Sequence, residues 1–261
     1  MNSKYRNHAT DLPTTAKVSC QVVTPDGTLQ TKEEEIVCEK TLEVSVNGVP
    51  VFRLTCTPQH LTELVLGRLC TERIIRSADE VQQLFICGEG NIAEVTLSEN
   101  VIFRPYSGAE PTCCTGNRQL AERVDPVRTE PGPVADVSPE AVFQLTEKFR
   151  EDGALHRNTN GTHSCYLRFG DGRILSFEDI GRHNALDKAV GAMLLEGAEP
   201  ADCMLYTTGR VAADMVTKLI GSGIPVMISK AVPTEEAVQL AKESNISLIC
   251  KAWPDSYTRF N

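Results

Sequence analysis

The chain has 261 residues, 41% of them hydrophobic, enough to build a full core in one large domain or two small ones without cross-links. Lys and Arg number 26 against 35 Asp and Glu, and the net charge of -9 excludes a general nucleic-acid binder, which needs a basic face to displace counterions from phosphates. No apolar run approaches a membrane span, and MNSKYRNHATDLPTTAK at the start has no signal-like apolar segment, so the expectation is a cytoplasmic protein without nucleic-acid or membrane partners.

Residues 1–35 are polar and mixed, and read as partly ordered at best. From Thr41 to Val46 the pattern alternates, with Leu42, Val44 and Val46 on one face of a strand. Asn47-Gly48 is a hairpin signal because both residues tolerate positive φ, and Val49 to Cys56 reads as the return strand. Thr57-Pro58 then supplies an N-cap and a first-turn proline for a helix through Arg73, with Leu61, Leu64 and Val65 as its apolar stripe. Residues 81–104 read as a second pair of strands, followed by a loop with two adjacent cysteines and a polar, proline-rich stretch from Asp125 to Pro139.

A regular rhythm follows. Ser138 to Arg150 is helical; Ser164 to Phe169 and Arg173 to Phe177 are strands joined by Gly170-Asp171-Gly172. Residues 182–196 form a helix with Leu186, Ala189, Val190 and Met193 inward. Met204 to Thr207 is a strand, 211–221 a helix with Ala212, Met215, Val216 and Leu219 inward, and Ile224 to Ser229 a strand. Thr234 caps a helix opened by Glu235 and Glu236, favourable at the positive dipole end, and Ile246 to Cys250 is the last strand. The order predicts a mixed sheet covered by helices, an α/β sandwich over 137–261. Ahead of it stand a polar segment (1–35), a smaller β-rich α+β domain (36–110), and a cysteine loop and linker (111–136).

Ten cysteines in a chain of this size without a secretory signal are expected to stay reduced. Cys38, Cys56, Cys70, Cys87, Cys165, Cys203 and Cys250 lie in or beside apolar stretches and read as small buried hydrophobes. No C-x-x-C occurs, so zinc-ribbon spacing is absent. Cys113 and Cys114 differ: they are adjacent, in a loop, between Pro111-Thr112 and Thr115-Gly116.

In a sheet of this kind, ligands sit beyond the carboxyl ends of strands, where helix N-termini offer free N–H groups. Glu178–Asn184, Thr207–Arg210 and Ser229–Thr234 fall there and bring Arg182, His183, Arg210 and Lys230 to one edge. Both a small anionic ligand and ordinary solvated loops fit that placement. The helix–strand order resembles the cytidine-deaminase-like fold, whose zinc enzymes use H-x-E and P-C-x-x-C. His183 opens the right helix, but Ala185 replaces the glutamate and Thr208-Gly209-Arg210 the cysteine pair, so no zinc is expected.

EDIGRHNALDKAVGA (178–192), TGRVAADMVTK (208–218), GIPVMISKAVPTEEAVQLA (223–241), VNGVP (46–50) and TPQHLTELVLGRLCTERII (57–75) resemble the formate dehydrogenase accessory sulfurtransferase family, FdhD/NarQ, from about Glu39 onward. The resemblance implies a sulfurtransferase that takes persulfide sulfur from a cysteine desulfurase. It would pass that sulfur to the bis-molybdopterin guanine dinucleotide form of the molybdenum cofactor, bound as substrate, before formate dehydrogenase receives it. The other reading is a chaperone that binds the cofactor for formate dehydrogenase without transferring sulfur.

By the same resemblance the catalytic residues are Cys113 and Cys114. The family loop carries C-x-x-C, whereas here Gly116 stands at the second position and Cys114 is the extra thiol. The implied cofactor-binding residues are Gly181, Arg182, His183, Asn184, Thr208, Gly209 and Arg210, with the tail Lys251, Ala252, Trp253, Pro254, Asp255 and Ser256. Trp253 either stacks on the guanine or clasps the C-terminus to the core. His163 and Asp179 are further pocket residues, although a strand histidine is also at home in a core. Two-fold oligomers being the commonest kind, a homodimer is the expected assembly.

Overall fold

The structure is a computed structural model that describes residues 4–103, 109–111, 118–120, 137–151 and 153–261, with backbone alone for 109–111, 118–120 and 151. The strands are β1 (Tyr5–Asn7), β2 (Thr15–Val23), β3 (Leu29–Val37), β4 (Lys40–Val46), β5 (Val49–Cys56), β6 (Val81–Ile86), β7 (Ile92–Leu97), β8 (Ala109–Pro111), β9 (Arg118–Leu120), β10 (His163–Arg168), β11 (Ile174–Asp179), β12 (Met204–Thr207), β13 (Val226–Ser229), β14 (Ser247–Cys250) and β15 (Thr258–Arg259). The helices are α1 (Leu61–Thr71), α2 (Pro139–Glu151), α3 (Ala154–Thr159), α4 (Arg182–Glu196), α5 (Ala213–Ser222) and α6 (Glu235–Glu243).

Two larger sheets carry the fold. One has the order β1-β6-β7-β4-β5, the other β11-β10-β12-β13-β14-β15. In the second, β12, β13 and β14 run parallel, while β10 opposes β12. This is the mixed α/β sandwich expected of the C-terminal half. Its strands are buried on both faces, which is why they read as nearly continuous apolar runs. Cys165, Leu167, Leu205, Met227 and Leu248 pack toward α4, α5 and α6, whereas Tyr166, Tyr206, Ile228 and Ile249 pack against Val142 and Leu145 of α2.

The first sheet is buried on one face, so its strands alternate. Leu42, Val44 and Val46 of β4 point into the core with Leu54, Val95 and the α1 stripe Leu61, Leu64 and Val65. Asn47 and Gly48 turn the β4–β5 hairpin at φ 49° and 79°, as their side chains allow. Helix α1 lies so close to α4 that a Cβ on Gly67 would stand 1.7 Å from the Asp187 carbonyl oxygen, and one on Gly191 1.9 Å from that of Glu63. Between α1, α4 and α5 a buried polar knot fills the gap. Lys218 Nζ bonds Asp187 at 2.8 and 2.9 Å, Thr71 Oγ1 donates to Asp187 at 2.8 Å, and Arg68 pairs with Glu72 at 2.8 Å.

Several expectations need correction. Thr57-Pro58 does not open α1: the helix starts at Leu61, after His60 at φ 53°, because the Thr57 N–H and hydroxyl are engaged elsewhere. Helix α5 begins at Ala213, with Ala212 as its N-cap rather than an inward helical residue. Residues 1–35 hold more order than their polarity suggests: β1 joins the first sheet parallel to β6, and β2 and β3 form a long antiparallel hairpin. Cys38 and Cys87 are half-exposed, unlike the five buried cysteines Cys56, Cys70, Cys165, Cys203 and Cys250. Thr234 caps α6 as expected, accepting from the Ala237 N–H.

Candidate anion-binding edge of the mixed sheet

At the carboxyl ends of β12 and β13 the chain is held by its own hydroxyls. Thr207 Oγ1 accepts from the Gly209 N–H at 3.1 Å, and Ser229 Oγ donates to the Gly209 carbonyl at 2.8 Å. The Thr208 N–H donates to the Ser164 carbonyl, and Thr208 Oγ1 accepts from the Ser164 N–H, each at 3.0 Å. Because β10 runs the other way, its first residue His163 arrives at this same edge. The 208–210 turn is therefore fixed against both neighbouring strands.

Helix α4 brings its N-terminus to that turn. Gly209 is tightly packed there: a Cβ would lie 2.9 Å from Arg182 Cβ and 3.0 Å from Arg182 Cδ. Glycine thus lets the Arg182 stem lie across the turn. The Arg182 Nε is buried without a hydrogen-bond partner among the described residues, and its guanidinium stands 4.0 Å from Asp214. A buried donor of this kind is costly unless something accepts from it. His183 Nε2 lies 2.7 Å from the same Asp214 carboxylate, on the first turn of α5. Burial raises the Asp214 pKa, but the His183 hydrogen bond and the charges of His183 and Arg182 outweigh it and hold the carboxyl below its ordinary value. Asp214 was not legible as a site residue; the only signal was an acid on the first turn of a helix beside TGR.

His163 is half-buried, and its pKa is lowered, first by burial and then by the charges of Arg182, His156, Lys230 and His183. Those neighbours define an electropositive edge in an otherwise acidic protein. Lys230 Nζ stands 4.8 Å from the Phe149 ring centre and 5.8 Å from that of Trp253, which ties the C-terminal tail to the same place. In the tail, the Lys251 N–H donates to the Ala231 carbonyl at 2.9 Å and the Ala252 N–H to that of Ser229 at 3.0 Å. Ala252 is buried, while Lys251, Trp253, Pro254, Asp255 and Ser256 are exposed, Trp253 by 45%. Arg210 is exposed beside the turn.

Asp179 and Asn184 sit beneath this edge, fully buried. Asp179 accepts from Gly181 N–H at 2.9 Å, from Asn184 Nδ2 at 3.0 Å, and from the Thr57 N–H and hydroxyl at 3.1 Å each. Lys188 Nζ completes the set at 2.6 Å. The carboxylate therefore fixes the turn into α4 and staples β5 to β11. Among the described residues no group of three or more His, Cys, Asp or Glu is placed to hold a metal ion. A surface groove of about 900 Å³ lies at the far end of the sheet, but Glu140, Glu147 and Asp171 line it together with Lys148 and Arg168.

Cys113 and Cys114 lie between β8 and β9, outside the described residues. Burial pushes the thiols of Cys56, Cys70 and Cys250 up to about 12, that of Cys203 to about 11, and that of Cys165 higher still. Such thiols are poor nucleophiles. At Cys87 slight burial raises the pKa, yet the backbone N–H groups around Asn91 and Ile92 bring it below the ordinary value. No helix of the described residues is long and apolar enough to cross a membrane.

The protein is a mixed α/β sandwich whose β12–β13 edge gathers the cationic side chains of Arg182 and Lys230 around His163. The FdhD/NarQ family profile matches residues 37–261, and the chain belongs to that family. The sulfur carrier protein FdhD of Bacillus subtilis is 33% identical over 228 residues, covering 85% of this chain and 87% of that protein. Its Bacillus pumilus counterpart is 32% identical over 229 residues, covering 86% and 87%. A crystal structure assigned as a formate dehydrogenase accessory protein from Desulfotalea psychrophila superposes with a TM-score of 0.75. It is 25% identical, covering 95% of this chain and 97% of that one.

Proposed function

We propose that this protein is a cytoplasmic sulfurtransferase: it accepts persulfide sulfur from a cysteine desulfurase and passes it to the molybdenum cofactor destined for formate dehydrogenase. Its relatives bear the name sulfur carrier, which supports the carrier role. The observation that carries the substrate side is the Arg182 guanidinium, held across Gly209 with a buried Nε awaiting an acceptor. His163 and Lys230 beside it make an edge suited to the diphosphate of a guanine dinucleotide.

In this reading the Cys113 thiolate attacks the outer sulfur of the desulfurase persulfide. A new S–S bond forms on Cys113, the old one breaks, and the desulfurase thiolate leaves. Delivery to the bound cofactor, which is cargo, would break that new S–S bond: the Cys113 thiolate leaves, and a two-electron-reduced metal centre of the cargo takes the sulfur atom as sulfide. Cys114 is a spare acceptor rather than a resolving partner, because successive Cα atoms are about 3.8 Å apart and ordinary disulfides span roughly 4.4–6.8 Å.

Labelled cysteine supplied to a desulfurase tests the reading. The label is expected on Cys113, lost in Cys113→Ala, and retained in Cys114→Ala and in Cys87→Ser. Label on Cys114 alone would move the carrier by one residue. Cofactor binding with no label on the chain would replace the transferase by a chaperone that binds without transferring.

A further inference from the structure

The Arg182 side chain is held at two points. Its stem lies against the bare Gly209 turn, in the space a Cβ there would fill. Its Nη2 stands 4.0 Å from Asp214 Oδ2, beyond hydrogen-bond reach, and its buried Nε has no partner among the described residues. Attraction to the carboxylate therefore steadies the guanidinium while leaving its donors for another acceptor. The side chain is still 20% exposed, so a solute can reach it. A long flexible side chain that is not steadied in this way loses rotamer freedom when it binds, and affinity falls accordingly.

Asp214 is itself fixed through both oxygens. Oδ1 accepts from the Met215 N–H at 2.7 Å in the first turn of α5, whose N-cap Ala212 supplies no side-chain hydrogen bond. Oδ2 lies 2.7 Å from His183 Nε2. An ionised carboxylate only accepts, so the imidazole donates here and that nitrogen is committed. His183 is 3% exposed and locked in the start of α4. That first turn carries no acid of its own, and Asp214 of α5 supplies the negative charge that its positive end favours.

We propose that Asp214, braced by His183, is a positioning residue: it holds the Arg182 guanidinium across Gly209, ready for an anion that Asp214 itself does not touch. This rests on the anion-binding reading of the edge proposed above, and it assigns His183 to bracing rather than to ligand contact. Positioning and bare electrostatics predict opposite signs. A carboxylate beside a cation weakens that cation's pull on an anion, so deleting the charge alone would tighten binding. If the charge positions Arg182, deleting it frees the guanidinium and weakens binding.

The test uses the full chain, with inorganic diphosphate as the probe in calorimetry. Asp214→Asn keeps an oxygen for the Met215 N–H and removes only the charge, so the start of α5 stays capped. It is expected to weaken diphosphate about tenfold or more, the usual cost of losing a group that orients a ligand-binding side chain. Asp214→Glu, which restores the charge on a longer arm, is expected to recover most of that loss. A second measurement needs no ligand: solvent exchange of the Arg182 Nε–H by NMR, its signal assigned by its absence in Arg182→Lys. Exchange is expected to be several-fold slower in the wild type than in Asp214→Asn. Diphosphate that binds Asp214→Asn as tightly as the wild type, or more tightly, would overturn the proposal. So would an Nε–H that exchanges equally fast in both. A wild type that binds no diphosphate would instead remove the anion from the proposed function, a separate failure, and the exchange rates would still decide whether Asp214 holds Arg182.

Discussion

His163 and Asp214 report the same electrostatics from opposite sides. Burial first, and then the cations around it, disfavour the charged form of His163, so it is expected to titrate below the ordinary 6.5 in the ligand-free protein. NMR titration is expected to show that value rising when an anion binds, and rising in Arg182→Gln, which removes one opposing charge. Titration at or above 6.5 in the ligand-free chain would refute both the burial of the ring and the crowding of cations around it. The linkage has a definite sign. Because the unfolded chain takes up this proton first, stability falls as pH drops from 6.5 through the lower folded value. Asp214 contributes in a more acidic window. Its carboxyl is depressed below the ordinary 3.8, so its stabilisation is complete above 3.8 and is lost as pH falls through the folded value. Acid-unfolding curves of Asp214→Asn are expected to lack that component. Beneath both, Asp179→Ala would leave Lys188 buried without its counter-ion. A loss of about 3–5 kcal/mol in urea unfolding is the expected cost.

Among the elements, the α1–α4 crossing is the most constrained. A methyl on Gly67 or Gly191 would collide with the facing helix backbone, which cannot swing aside as a side chain can. Gly67→Ala and Gly191→Ala are each expected to cost about 3 kcal/mol or more, measured by denaturant melts. A cost under about 1 kcal/mol would mean that the helices part easily. The legibility of the elements follows burial. The two-sided strands β10, β12, β13 and β14 and the stripe of α4 write their surroundings into local sequence, and they stand close to where the pattern puts them. The β2–β3 ribbon packs little on either face, so neither period marks it. Thr57-Pro58 has the composition of a helix start, but Asp179, far along the chain, takes its donors. No local rule contains that competitor. The site shows the same division: EDIGRHN and TGR announce a cationic edge by their glycines and basic residues, whereas the roles of Asp214 and Lys188 exist only once the helices meet.

At the scale of the molecule the net charge of -9 opposes any anion, and binding therefore depends on where the cations converge. They converge where β12 and β13 end, with Arg182 stretched across Gly209 and Lys230 over two aromatic rings, both close enough to act on His163. Trp253 is the only tryptophan, stands exposed beside Lys230, and meets Phe149 edge-on at 6.3 Å. Its fluorescence therefore reports on this edge and on no other part of the chain. GDP, as a fragment of the proposed cofactor, is expected to change that fluorescence saturably, and added salt to weaken it. Inorganic diphosphate is expected to compete if the phosphates carry the affinity. Arg182→Ala and Arg210→Ala are expected to abolish or strongly weaken binding. Arg173→Ala is not, because that arginine pairs with Asp171 and Glu196 at the far end of the sheet. If the indole stacks on the base, Trp253→Leu weakens GDP about tenfold or more while leaving diphosphate unaffected. Equal losses for both ligands would instead assign Trp253 to holding the tail. GDP that fails to bind by calorimetry, with Arg182 and His163 intact, would remove the nucleotide from the reading altogether.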